Sequence, residues 1–128
     1  MTNPKNTFGD HYLVDLYGCD PSLISTVQPV RDVLLNAAIK SESTILDDSF
    51  HQFEPYGASG VIIIAESHFS IHTWPESNFA AVDIFTSGNL MKPQIAIEIM
   101  QAGYGANYIK VVKMTRGALD TQRIQNND

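Results

Sequence analysis

The sequence predicts an α+β fold: an antiparallel β-sheet with two helices on one face, a two-layer sandwich in the order β-α-β-β-β-α-β. Three observations predict it. Short runs rich in β-branched and aromatic residues are separated by tight turn signals. Only two stretches carry apolar residues at helical spacing. The strands between those two stretches follow one another without a helix, as hairpins do. The 128-residue length fits a single domain spanning residues 1–128.

The elements follow in chain order. Tyr12 to Tyr17 holds Leu13, Val14 and Leu16 and ends at Gly18, which suits a first strand. Asp20 is placed to cap a helix with Pro21 at its first position. Leu23, Val27, Val30, Leu34, Ala37 and Ala38 then recur at helical spacing to about Ile39. Pro29 lies inside that window, so the helix either kinks there or starts nearer Val30. A second strand is expected over Ser43 to Phe53, and a turn cluster over Pro55 to Gly60. Val61 to Ala65 is wholly apolar and β-rich, as in a central strand. Phe69 to Trp74 alternates in character and suits an extra short strand. Phe79 to Thr86 follows as a strand, closed by Ser87-Gly88-Asn89. A second helix is expected from Pro93 to Ala102, stopping at Gly103. Asn107 to Met114 alternates as a last strand before a polar tail. Helices on one face leave the other face of the sheet uncovered, which predicts a dimer.

Composition excludes several functions. Fourteen acidic against eight basic residues give a net charge of −6, the wrong balance for nucleic-acid binding. A single cysteine forms no internal disulfide and no cysteine-cluster zinc site. The first ten residues are polar, so no leader peptide is expected. The longest apolar run, Val61 to Ala65, is too short to span a bilayer. A cytoplasmic location is the resulting expectation.

The residues with useful chemistry crowd between Phe50 and Ser87. On an extended chain His68, Ser70, His72 and Trp74 share one face. His68 and His72 would then lie about 13 Å apart, too far to share a metal ion, so no metal site is expected. No G-x-S-x-G is present, and Ser59 does not sit between a strand and a helix, which argues against a serine hydrolase triad. Spacing alone leaves open that these serines and histidines merely satisfy one another on a sheet face.

Residues 65–76, Ala-Glu-Ser-His-Phe-Ser-Ile-His-Thr-Trp-Pro-Glu, resemble the core motif of the prokaryotic S-adenosylmethionine decarboxylases. The similarity continues through Phe50 to Gly60, Ala80 to Thr86, His11 to Asp15 and Cys19-Asp20, and so covers most of residues 9–117. The resemblance implies a proenzyme that cuts itself between Glu66 and Ser67 into residues 1–66 and 67–128. Ser67 becomes a pyruvoyl group, the cofactor, which forms a Schiff base with the substrate amine. His72 is the implied base that removes the Ser67 α-proton, and Ser59 assists processing. Phe53 is implied to stack on adenine, Glu76 to hold the ribose hydroxyls, and His68 to bind substrate. Asp15 aligns with a family acid. The implied enzyme is a carboxy-lyase acting on S-adenosylmethionine for spermidine synthesis, as a homodimer of cleaved protomers.

One departure stands out. The family's Phe-Thr-Cys-Gly is Phe85-Thr86-Ser87-Gly88 here, so Ser87 replaces the thiol expected to return the final proton. A hydroxyl is a much weaker acid than a thiol with a pKa of about 8.5. The family's aromatic-Gly-aromatic after Trp-Pro-Glu is also changed, to Ser77-Asn78-Phe79. Two alternatives follow: a pyruvoyl-dependent decarboxylase of ornithine or arginine, and a non-catalytic regulatory homologue. Phe53 and Glu76 speak against the first; Ser59, Ser67 and His72 speak against the second.

Overall fold

The computed structural model describes residues 7–87 and 91–117. Strands β1 (Gly9–Tyr17), β2 (Ile45–Gln52), β3 (Ala58–Ile64), β4 (Ser67–Trp74), β5 (Phe79–Thr86) and β6 (Tyr108–Arg116) form one sheet in the order β2-β3-β4-β5-β1-β6. Each pairing is antiparallel. Helices α1 (Pro21–Ile24), α2 (Val27–Lys40) and α3 (Pro93–Gly103) accompany it, with a 3-10 turn over Pro75–Ser77. The α+β class and the antiparallel sheet are as expected.

Alternation decides which side chains meet the helices. Val14, Leu16, Ile62, Ile64, Phe69, Ile71, Val82 and Ile84 point to one face and are buried. They share one core cluster with Val30, Leu34, Ala37 and Ala38 of α2 and Ala96, Ile97 and Met100 of α3. Tyr104, at the end of α3, donates its hydroxyl to the Val30 carbonyl at 2.7 Å and ties the two helices together. Cys19 lies in this core, and burial pushes its thiol up to about 11. The one thiol is therefore a packing group on the helix side.

Three expectations are corrected. The stretch expected to hold an extra short strand is a full strand of eight residues, β4, giving six strands. Its solid hydrogen-bonding on both sides, to β3 and β5, outweighs its polar composition. The first helix is two helices, broken at Ser25 and Thr26. Pro29 supplies no N–H to the Ser25 carbonyl four residues earlier, so that carbonyl accepts instead from Gly57 N–H at 2.8 Å and Gln52 Nε2 at 3.1 Å. Pro29 itself falls in the first turn of α2, where N–H groups lack helical partners anyway. The turn before β3 is also shorter than expected. β3 begins at Ala58, where Ala58, Ser59 and Gly60 pair with Gln52, His51 and Phe50, and the absence of a Cβ on Gly60 leaves room for the Phe50 ring. The closing turn at residues 88–89, the first six residues and the polar tail lie outside the described residues. Among those described, no helix is long and apolar enough to cross a membrane.

Candidate active site

The face away from the helices carries nearly all the chemistry. Rows of side chains cross it in register. His51, Ser59 and His72 form one row across β2, β3 and β4. Ser59 Oγ lies 2.7 Å from His72 Nδ1, a short hydrogen bond on an exposed surface. Phe53 stands just past the end of β2, 46 % exposed, with the His51 ring edge-on at 4.6 Å. A Cβ on Gly57 would lie 3.6 Å from Pro75 and 4.0 Å from Phe53, so the loop bearing Phe53 and the turn bearing Glu76 adjoin. Ser59, His72, Phe53 and Glu76 thus gather at one end of the sheet. A shallow groove of about 340 Å³ opens there, lined by His51, Ser59, Gly60, Ser70 and His72 among others.

A second cluster sits at the other end. Ala65 and Glu66 form the tight turn between paired Ile64 and Ser67. Ser67 is held at φ 146°, a value L-residues rarely adopt. Such backbone costs on the order of 1–3 kcal/mol and persists only where neighbours enforce it. The neighbours are visible. The Glu66 carbonyl oxygen accepts from the Ser87 amide at 2.7 Å and from Ser87 Oγ at 2.8 Å. Two donors from one residue thus converge on the carbonyl of the Glu66–Ser67 peptide bond. Beside it, burial holds the His68 imidazole below its ordinary range; nearby His11 adds to this and Asp83 opposes it.

The two clusters do not meet within one chain. Ser67 and His72 are five residues apart on one straight strand, so their Cα atoms are about 16 Å apart at ~3.3 Å per residue. Ser67, Ser87 and Glu66 are together; Ser59, His72, Phe53 and Glu76 are together; the halves are separate. The same spacing argument that sets His68 apart from His72 already contains this result for Ser67.

Between the clusters runs a polar chain that single-residue motifs do not reveal. Ser70 Oγ donates to Asp83 Oδ2 at 3.0 Å, His11 Nε2 faces Asp83 Oδ1 at 3.5 Å, and Arg116 lies 3.3 Å from His11 Nδ1. His11, Asp83 and Ser70 belong to three adjacent strands, so only the strand order brings them together. The signal in the sequence was their shared alternation phase. Four aromatic rings also line up on this face in register: Trp74, Phe79, Tyr17 and Tyr108, with centroids 5.2 to 5.6 Å apart. Leu13, Ile63, Val112 and Met114 are exposed on it as well.

Comparison with known proteins follows the same lines. Residues 10–117 match the family model for S-adenosylmethionine decarboxylase. An S-adenosylmethionine decarboxylase proenzyme of Acidithiobacillus ferrooxidans is 43 % identical over 114 residues, covering 89 % of this chain and 86 % of that protein. One from Pyrococcus horikoshii is 38 % identical over 118 residues, covering 92 % and 85 %. The crystal structure of the adenosylmethionine decarboxylase from Aquifex aeolicus superposes with a TM-score of 0.82 at 36 % identity, over 94 % of this chain and 99 % of that one.

Proposed function

Since the chain belongs to the S-adenosylmethionine decarboxylase family, we propose that it is a carboxy-lyase that removes CO₂ from S-adenosylmethionine, using a pyruvoyl group made from its own Ser67. The observation that carries this reading is the pair of Ser87 donors on the Glu66 carbonyl oxygen, next to the forced backbone of Ser67.

That arrangement suits self-cleavage. The Ser67 hydroxyl attacks the Glu66 carbonyl carbon, and negative charge grows on the oxygen that Ser87 already contacts. The peptide C–N bond breaks and an ester joins Glu66 to Ser67 Oγ. Loss of the Ser67 α-proton to a base then expels Glu66 as a carboxylate and leaves dehydroalanine. Hydrolysis releases ammonia and leaves the pyruvoyl group at the head of residues 67–128. When in place, that group supplies an electron sink for the pair left as CO₂ departs. The protein's own residues do the rest. Phe53 offers an exposed ring to adenine, and Glu76 offers a carboxylate to the ribose hydroxyls. His68 lies beside the reacting centre at the Ser67 end, its imidazole pKa lowered by burial, and is proposed to meet the substrate from that side. His72, hydrogen-bonded through Nδ1 to Ser59, presents its other ring nitrogen as the base for the α-proton.

The base is about 16 Å from the serine it must serve in the same chain. A second copy resolves this. Two open faces packed antiparallel bring the Ser59–His72 end of one protomer over the Ser67 end of the other. The exposed apolar side chains Leu13, Ile63, Val112 and Met114 then leave water as well. The working form is accordingly a homodimer with two shared sites. Its product, the decarboxylated nucleoside, serves as aminopropyl donor for spermidine, and the chain works in the cytoplasm.

Release of CO₂ from carboxyl-labelled S-adenosylmethionine, ornithine and arginine, assayed in parallel, tests the reading. The expected result is turnover of S-adenosylmethionine alone. Turnover of a basic amino acid instead, or of none of the three by cleaved protein, overturns it.

A further inference from the structure

Glu66 is gripped by its side chain as well as by its carbonyl. Thr44, the residue that leads into β2, donates its N–H to Glu66 Oε1 at 3.1 Å and its hydroxyl to Oε2 at 3.4 Å. The Thr44 carbonyl in turn accepts the Ala65 N–H at 2.8 Å. The two-residue turn Ala65-Glu66 is therefore pinned from both flanks. Thr44 holds it from the β2 side and Ser87 from the β5 side, and in the sheet these strands flank the β3–β4 hairpin.

The two grips differ in purpose. Ser87 contacts the oxygen on which charge develops. Thr44 contacts a group that takes no part in bond making. A glutamate next to the bond to be cut is a poor neighbour for a developing oxyanion, because like charges in a partly desolvated turn repel. Hydrogen bonds from a neutral donor to a carboxylate are the stronger, charge-assisted kind, and they hold that charge in one place.

We infer that Thr44 is a positioning residue for self-cleavage, which fixes the Glu66 carbonyl against the Ser87 donors by holding the Glu66 carboxylate on the far side of the turn. The inference rests on the reading of Glu66–Ser67 as the bond that is cut. Glutamate at position 66 is on this account a handle, and any side chain that accepts from the Thr44 amide serves in its place.

The test follows the fresh full-length chain after a pulse of cell-free synthesis, by intact mass, with and without hydroxylamine. Hydroxylamine cuts the ester as it forms and so reports the first step alone. Glu66→Ala should slow ester formation by about tenfold, the effect expected for hydrogen bonds to a charged group. Glu66→Gln keeps an acceptor for the Thr44 amide and should stay within ~3-fold of the parent chain. Thr44→Val removes only the longer of the two bonds and should slow the step by ~3-fold. In the cleavage-dead Ser67→Ala background, adding Glu66→Ala should lower the melting temperature modestly but leave a single cooperative transition well above the assay temperature, which separates positioning from failure to fold. Glu66→Ala cleaving as fast as the parent, or Glu66→Gln as slow as Glu66→Ala, overturns the inference and leaves the parent reading standing. A parent chain that stays whole overturns both.

Discussion

Ser87 bears the sharpest prediction, because two proposed functions, oxyanion donor in self-cleavage and proton donor in decarboxylation, converge on one hydroxyl. Ser87→Ala deletes the 2.8 Å donor to the Glu66 oxygen and keeps the 2.7 Å amide donor. A hydrogen bond to a group that becomes charged contributes about 1.5–3 kcal/mol. At about 1.36 kcal/mol per decade, that is a slowing of roughly 10- to 150-fold. Water-excluded oxyanion sites lose about 10²–10³ per donor. Ser87 is exposed in the single chain, so the lower part of that range applies. Ser87→Cys is the informative partner. It restores an acidic proton, and a well-placed general acid contributes a factor of ~10²–10⁴ to proton return. The Cys variant should therefore decarboxylate faster per cleaved chain than the parent while cleaving itself no faster. Cleavage is followed by intact mass, and CO₂ release is normalised to cleaved chain. Ser87→Ala cleaving at the parental rate would refute the oxyanion role. A Cys variant no faster in CO₂ release would refute the claim that Ser87 occupies the proton-donor position.

The other predictions use different handles. Mixing Ser67→Ala with His72→Ala chains should restore cleavage of the His72→Ala chain, because each intact half-site comes from a different protomer; no cleavage in the mixture would show that His72 acts within its own chain. Phe53→Ala and Glu76→Gln should each raise KM about tenfold or more with cleavage unaffected, measured on fully processed protein; an unchanged KM removes them from the substrate site. Acid should destabilise the fold through His68. Burial lowers its folded-state pKa below the ordinary 6.5, so the unfolded chain takes up the proton first, and stability falls as pH drops below about 6.5. His68→Gln should flatten that slope in melting curves at pH 7, 6 and 5, and an equal slope in both proteins would contradict the assignment.

Much of this was legible in the sequence, and the remainder has identifiable physical causes. Period-two alternation marks the inner strands most clearly because they have one buried face, as in β5, where Ala80, Val82, Ile84 and Thr86 are all buried, whereas β2 and β6 have no fully buried residue. β4 is hard to see in the sequence because its solvent face is Ser, His and Trp, and polar composition masks a strand whose backbone is paired on both sides. The break before α2 is half visible: Pro29 signals it, but the partners of the Ser25 carbonyl come from the end of β2 and the loop after it, 27 to 32 residues later. The motif names the candidate residues, but not their roles. Their division into two ends was readable too, from strand rise alone, yet a motif read as a list hides distance. Thr44 and the Ser87 amide were not readable, since backbone donors have no side-chain signature and strand order is set by non-local pairing.

The claim on which everything else depends is that the Glu66–Ser67 bond breaks by itself. Intact-mass measurement of the purified full-length protein tests it most directly. The account predicts two species, residues 1–66 with an ordinary C-terminal carboxylate and residues 67–128 beginning with pyruvate, and a single uncleaved mass for Ser67→Ala. A parent protein found whole and still releasing CO₂ from S-adenosylmethionine, or cut at any other bond, would contradict it.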